Sequence, residues 1–294
     1  MKTSRSEFVS IRDHQYHCRH WGNPAAPVLF MVHGWMDVSA SFQFVVDSLK
    51  EDWHVIAPDL RGFGLTTGPK TDAYWFPDYM ADLDALLLHY SPDAPVNLIG
   101  HSLGGNIVAI YAGVRPERIA RLVVLEGFGL ATTKPGQAPG RYRKWLDELC
   151  EQPTMKAYAS VDDVARRLQK TNPRLSNERA AYLAQHWSAA NADGQWEILG
   201  DPAHKISSPV LYRVEEVMAC WESITAPVLW VEAADTEIWS WIGGKEKGRI
   251  EADRRLTFFK QVQQEMIQDA GHMLHHDQPA QLAEMIEQFV KQPG

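Results

Sequence analysis

A single α/β domain with a mostly parallel, doubly wound sheet is what this sequence predicts, on three observations. From Pro27 to Leu125, short near-continuous apolar runs alternate with helical stretches, the pattern of a parallel sheet covered on both faces. That rhythm breaks over residues 129–222 and then resumes, as expected for an insertion into one core. Between Val96 and Ala109 the chain carries Gly100-His101-Ser102-Leu103-Gly104, a G-x-S-x-G set between a strand and a helix. A length of 294 residues is ample for such a core with an inserted subdomain.

Taken in order, Phe8 to His20 alternates weakly and reads as a polar hairpin at a sheet edge. His14, His17, Cys18 and His20 invite a metal reading, but on a strand His17 faces away from Cys18 and His20. They are read as solvated edge residues. Pro27-Val-Leu-Phe-Met-Val-His33 is a buried parallel strand leading into His33-Gly34-Trp35-Met36-Asp37, with His33 a hydrogen-bonder that shapes the loop. Ser39 to Lys50 follows as a helix with a Ser cap, presenting Phe42, Val45, Val46 and Leu49 on one face.

Trp53 to Ala57 is the next buried strand. In the loop after it, Asp59 and Arg61 are expected to pair with each other or with backbone. Gly62 and Gly64 open no dinucleotide fingerprint, because the third glycine of G-x-G-x-x-G would fall at Thr67. Gly243-Gly244-Lys245-Glu246 lacks the spacing and the hydroxyl of a phosphate loop. Tyr79 to Tyr90 is a core helix, and Val96 to Ile99 is the strand that enters the G-x-S-x-G turn.

That turn is where chemistry is expected. A sharp strand-to-helix turn with a side chain at its apex leaves no room for Cβ atoms two positions either side, hence Gly100 and Gly104. Ser102 would stand clear of the backbone as a nucleophile, with the Leu103 N–H at the helix start aimed where an oxyanion forms.

Leu122 to Leu125 is a further strand, ending in Glu126-Gly127-Phe128. Residues 129–222 then hold amphipathic helical pieces, clearest at 141–150, 161–169 and 177–189, with 12 Lys and Arg against 12 Asp and Glu. Such an insertion reads as a lid over the carboxyl end of the sheet, where ligands bind in open α/β folds. The predicted division is a core of 1–128 and 223–294 with a helical cap of 129–222. Strands at Ala226 to Val231 and Glu265 to Gln268 and a helix from Pro279 to Val290 complete the core.

Composition limits the partners. Hydrophobic residues make up 45% and charged residues 22% of the chain, and the net charge is −8. Neither a nucleic acid nor an anionic membrane suits that balance. Cys18, Cys150 and Cys220 form no disulfide framework and no paired zinc pattern, and no apolar run approaches a membrane span or a leader's apolar core. A cytoplasmic protein without a cofactor is expected, as a monomer or a homodimer.

The order of His33-Gly34, Gly-His-Ser102-Leu-Gly, Asp235 in a strand-end loop and Gly271-His272 in a late loop resembles the α/β-hydrolase fold superfamily, whose triads run Ser, acid, His. His33-Gly34-Trp35-Met36-Asp37 and Leu125-Glu126-Gly127-Phe128, with Asp201-Pro202 through Val217, resemble the serine hydrolase-like, lid-bearing carboxylesterases within it. Asp201-Pro202-Ala203-His204 departs from the Asp-Pro-Arg-Leu common in such proteins. The resemblance implies a sheet of the α/β-hydrolase type with the lid after strand 6. It also implies Ser102 as nucleophile, His272 as general base and acid, Asp235 as the acid that orients His272, and the Trp35 and Leu103 N–H groups as the oxyanion hole. Glu126, which some relatives use, is the alternative acid.

His275 and His276 permit a zinc reading on a helix, but no acidic or cysteine partner has a matching spacing nearby, and the triad is preferred. Serine rather than Asp at the elbow implies acyl transfer to water. Met36, Phe128, Trp239 and Met273 would line an apolar pocket suited to a small hydrophobic carboxylic ester. Thioesters, lactones and vinylogous diketones suit the same triad, and a ligand-binding receptor-type member is the non-enzymatic alternative.

Overall fold

The apolar runs become the middle of one eight-stranded sheet. The computed structural model describes residues 1–151 and 153–292. In chain order come β1 (Ser4–Ile11), β2 (His14–Trp21), β3 (Val28–Val32), α1 (Gln43–Ser48), β4 (His54–Pro58), α2 (Phe76–Tyr90), β5 (Val96–His101), α3 (Leu103–Val114) and β6 (Ile119–Leu125). The segment after β6 carries α4 (Ala138–Glu151), β7 (Ala157–Tyr158), α5 (Val161–Thr171), α6 (Asn177–Trp187), β8 (Ser188–Ala190), β9 (Trp196–Ile198) and α7 (Val214–Glu222). The sheet then resumes with β10 (Val228–Ala233), α8 (Lys245–Leu256), β11 (Val262–Ile267), α9 (Leu274–Asp277) and α10 (Pro279–Val290).

The sheet order is β1-β2-β4-β3-β5-β6-β10-β11. β2 runs antiparallel to both neighbours, and every pairing from β4 to β11 is parallel. One face packs on α2, α3 and α7 through Leu83, Leu86, Ile107, Met218 and Trp221. The other packs on α1 and α10 through Val45, Val46, Leu282, Ile286 and Phe289. The sheet is doubly wound, and its carboxyl end is left for loops, as a parallel arrangement requires.

Several sequence expectations need correction. The hairpin is not a solvated edge. Only β1 is the edge strand; β2 lies between β1 and β4, and His17, Cys18 and His20 are all buried. His17 Nδ1 donates to Asp59 Oδ2 at 2.7 Å, and His20 meets His54 across the neighbouring strand at 3.1 Å. Asp59 and Arg61 do not pair with each other. Asp59 accepts from His17 and from the Ser39 and Leu65 N–H groups, while Arg61 forms a two-pronged ion pair with Asp82. Ser39 caps no α-helix: residues 39–42 form a 3-10 turn before α1, and the Ser39 N–H is spent on Asp59.

The insertion also differs in detail from a purely helical one. β7, β9 and β8 form a small antiparallel sheet of strands two or three residues long. Its helices α5 and α6 close a satellite core around Val164, Leu168 and Leu183, into which Phe44 reaches from α1. His204 is stacked between the rings of Phe63 and Tyr74 at 3.8 and 3.7 Å. Within the range predicted as cap, α7 is packed in the core of the main sheet: a Cβ on Gly113 of α3 would meet the Cys220 carbonyl at 1.8 Å.

Two consequences can be measured. A Cβ at Gly100 would fall 2.4 Å from the Gly104 carbonyl oxygen, and one at Gly104 would fall 2.2 Å from the Val32 carbonyl, both rigid backbone. Gly100→Ala should therefore lower the unfolding free energy in urea by about 2 kcal/mol or more. Asp59 supplies the second. Burial alone would raise its pKa, but the hydrogen bond and charge of His17 and the Leu65 N–H hold it down to about 2. A depressed carboxyl pKa stabilises the fold above the unfolded-state value and loses that contribution as pH falls through the folded one. Asp59→Asn should cost about 2 kcal/mol between pH 5 and 7, with the gap to the wild type narrowing below pH 4.

Candidate active site

The site is built at the carboxyl ends of β5, β6 and β10. Ser102 joins β5 to α3 with φ +52° and ψ −114°, a conformation L-residues rarely adopt. It is held there by its own N–H, which donates to the Leu125 carbonyl at 2.8 Å, and by its carbonyl, which accepts from the Asn106 N–H at 3.0 Å. Glu126, one residue past β6, is also left-handed at φ +54°. Strain of about 1–3 kcal/mol per such residue persists only where the surroundings over-determine the backbone.

His272, in the loop between β11 and α9, brings the two together. Its Nε2 lies 2.9 Å from Ser102 Oγ, and its Nδ1 lies 3.2 Å from Glu126 Oε2. A carboxylate can only accept, so Nδ1 carries the proton and Nε2 is the lone pair facing the serine hydroxyl. The Glu126 side chain is fully buried, and two further donors compensate it: the Ala233 N–H at 2.7 Å on one oxygen and the Thr236 hydroxyl on the other. Three donors on a buried carboxylate meet the requirement that a buried charge be hydrogen-bonded.

Asp235, the expected acid, is not on His272. Its N–H is tied to the Ala270 carbonyl at 3.0 Å, and its carboxylate turns outward to Arg174 Nη2 at 2.6 Å. The side chain is 55% exposed, and Arg174 reaches it from the inserted segment, which also touches Asp269. The carboxylate that meets His272 is the alternative, Glu126. β6 and β10 are neighbours in the sheet, so both strand ends lie near His272. The left-handed turn at Glu126 and its longer side chain decide which one arrives.

The expected oxyanion donors flank the serine. Leu103 opens α3, and the first N–H of a helix has no acceptor within it. On the other side, a Cβ on Gly34 would lie 3.2 Å from the Ser102 Cβ, so the loop carrying Trp35 runs directly against Ser102. His33 shapes that loop as anticipated: Nδ1 donates to the Gly34 carbonyl at 2.8 Å, and Nε2 accepts from the Leu60 N–H at 2.9 Å.

The expected pocket residues divide. Met36, left-handed at φ +52°, is half-buried with its sulfur close to Gly200 of the inserted segment. Met273 is half-buried beside His272. Phe128 is instead a core residue, 1% exposed and edge-on to both Trp230 and Trp239. Trp239 backs Phe128 and carries the Arg249 guanidinium over its ring. The tryptophan that meets the site is Trp241, whose ring is edge-on to His272 at 5.1 Å and 58% exposed. Sequence reasoning passed over it; its signal was only its position in the loop after β10, shared with Trp239. Trp35 is likewise 55% exposed.

Residues 27–279 match the model of the family described as alpha/beta hydrolase fold. A serine hydrolase-like protein of Danio rerio is 25% identical over 73% of this chain and 67% of its own length. A cis-3-alkyl-4-alkyloxetan-2-one decarboxylase of Shewanella oneidensis is 36% identical over a shorter stretch, 45% of this chain and 42% of its own. Among solved structures, the thioesterase domain from the curacin biosynthetic pathway superposes with a TM-score of 0.85 at 25% identity, covering 97% of this chain and 99% of that one. A family model that spans the sheet from β3 to the start of α10 leaves one assignment: the chain belongs to the alpha/beta hydrolase fold family.

Proposed function

We propose that this protein is a serine hydrolase, a carboxylesterase that cleaves small hydrophobic carboxylic esters through an acyl-Ser102 intermediate. The observation that carries this reading is the continuous hydrogen-bonded chain from Ser102 Oγ through His272 to Glu126. A serine hydroxyl barely ionises near neutral pH, so attack needs a base in contact with it. His272 Nε2 takes the hydroxyl proton as Oγ bonds to the ester carbonyl carbon, and Glu126 steadies the imidazolium that results. The carbonyl oxygen becomes an oxyanion between the Trp35 and Leu103 N–H groups. Collapse expels the alcohol, which takes the proton from His272. Water, deprotonated by the same nitrogen, then attacks the acyl-serine and releases the acid.

Trp35 and Trp241, both more than half exposed beside Ser102 and His272, favour an apolar acyl or alcohol group. The inserted segment acts in this reading as a cap, with Met36 against Gly200 as one of its seats. A thioester is the second reading, because the triad is equally suited to it and one well-matched structure is the thioesterase domain from the curacin biosynthetic pathway. No helix among the described residues is long and apolar enough to cross a membrane.

A panel of p-nitrophenyl esters from acetate to decanoate, with an acyl thioester in parallel, tests the proposal. Ser102→Ala should remove at least about a thousandfold of the wild-type turnover while leaving the thermal melt intact. Glu126→Gln should lower kcat by about 10²–10⁴ with little change in KM, because it disturbs the tautomer and the imidazolium rather than binding. Asp235→Asn should stay within about twofold of the wild type, as expected of an exposed ion pair. Full activity in Ser102→Ala, or a larger loss in Asp235→Asn than in Glu126→Gln, would refute the assignment.

A further inference from the structure

Behind the candidate triad lies a second cluster that the ester chemistry does not use. We propose that Asp37, His101 and His275 form a binding site for one divalent transition-metal ion of the zinc type. Asp37 lies in the loop after β3, His101 ends β5 and His275 lies in α9, and they are 2%, 1% and 0% exposed. One coordinating atom from each lies within 4.8 Å of the other two. His275 Nε2 stands 3.7 Å from Asp37 Oδ2. Four-coordinate zinc with bonds of about 2.0–2.1 Å sets its ligand atoms roughly 3.3–3.5 Å apart, so side-chain shifts of about an ångström close the set.

Each of the three residues has a polar atom left over, while His275 Nε2, the nitrogen 3.7 Å from Asp37 Oδ2, also meets Ser41 Oγ at 3.3 Å. Asp37 Oδ2, His101 Nδ1 and His275 Nδ1 are buried without a hydrogen-bond partner. The other Asp37 oxygen is satisfied by the Val38 N–H at 2.7 Å. His101 Nε2 donates to the His272 carbonyl at 2.8 Å, and a carbonyl can only accept, so the proton of that ring is on Nε2. Its Nδ1 is therefore a bare lone pair aimed into the cluster.

Two acceptors, a lone pair and a carboxylate oxygen, thus converge in a dry pocket. No Lys or Arg forms an ion pair with Asp37 among the described residues; its sole ionic neighbour is His275. Buried charges are paired or coordinate a metal. A single water satisfies the hydrogen bonds but brings no charge to the carboxylate, whereas a divalent cation answers both demands. The donor chemistry points the same way. Two imidazoles and one carboxylate are the ligand types of zinc and its neighbours, and three protein ligands leave one position open. His101 also has the usual outer arrangement of a metal-bound histidine, with its far N–H fixed on a backbone carbonyl.

Position gives the site a consequence. His101 directly precedes Ser102, and its Nε2–H holds the carbonyl of His272. An ion on Nδ1 fixes that ring and, through it, the loop that carries the base. His276 is not part of the set: its ring nitrogens do not converge with those of Asp37, His101 and His275, and its Nε2 makes the shorter contact to Ser41 Oγ, 2.6 Å against 3.3 Å for His275 Nε2. The pairing suggested by adjacency in the sequence is thereby replaced by His275 with two remote partners. The inference is independent of the ester reading, and its test is read from the metal.

The full chain, stripped with a chelator and dialysed, is titrated with Co²⁺ alone, following the visible absorption of the bound ion. Zn²⁺ uptake is measured by equilibrium dialysis with elemental analysis. The expected result is one equivalent of Co²⁺ in a low-symmetry site, displaced by Zn²⁺, and a thermal midpoint that rises with Zn²⁺ concentration. Asp37→Asn and His275→Gln should each weaken binding at least tenfold, while His276→Gln retains one equivalent. A wild-type protein that takes up no ion overturns the proposal, whatever the variants do. So does uptake that survives both Asp37→Asn and His275→Gln, which places the ion on other histidines.

Discussion

The carboxylate of Glu126 is out of reach of water, and the geometry of the site follows from what is needed to keep it there. Its donors come from three places: the imidazole of His272, the hydroxyl of Thr236 and the first backbone N–H past the middle of β10 that turns toward it, at Ala233. Each donor fixes an element. The loop after β11 is drawn in by His272, the loop after β10 by Thr236, and the end of β10 by its own backbone. Removing one donor leaves a charge whose desolvation is uncompensated, and the cost of that exceeds the worth of any single hydrogen bond. The serine is then aligned as a by-product, because the imidazole that satisfies Glu126 through Nδ1 has its other nitrogen 2.9 Å from Ser102 Oγ.

Backbone strain is concentrated at the same strand ends. Ser102 and Glu126 each follow the last residue of adjacent parallel strands, both with positive φ, and the Ser102 N–H is satisfied by the residue just before Glu126. The two strained residues therefore brace each other through the β5–β6 ladder. What makes room for the turn is the absence of side chains at Gly100 and Gly104, where helix α3 and strand β3 pass within backbone contact. Glycine also lets the loop of Trp35 lie against the serine, at Gly34.

Features set by local sterics were legible in the sequence. The elbow needs only a strand, two glycines and a helix, all within fourteen residues of chain. The central parallel strands announce themselves by being apolar on both faces, whereas β11, at the sheet edge with Gln263, Gln264 and Glu265, does not. Features set by remote neighbours were not legible. Whether Glu126 or Asp235 meets His272 depends on φ at Glu126 and on an arginine arriving from the inserted segment, neither of which spacing records. His17 and His20 look like edge residues until β4, far along the chain, pairs on the second side of β2. A zinc reading of His275 and His276 fails on local spacing, and the cluster with Asp37 and His101 exists only in the folded chain. Trp239 and Trp241 differ by two positions, and only the 3-10 turn between β10 and α8 determines which ring meets the base.

The central claim is that Ser102 is a nucleophile activated by His272 on a Glu126 carboxylate. Its most direct test is covalent. The protein is treated with a fluorophosphonate, which phosphonylates an activated serine with loss of fluoride, and the labelled peptide is located by mass spectrometry. The account predicts a single adduct on Ser102, formed much more slowly in Glu126→Gln and at the wild-type rate in Asp235→Asn. An adduct on another residue, or labelling of Ser102 that is slowed by Asp235→Asn and not by Glu126→Gln, would contradict it.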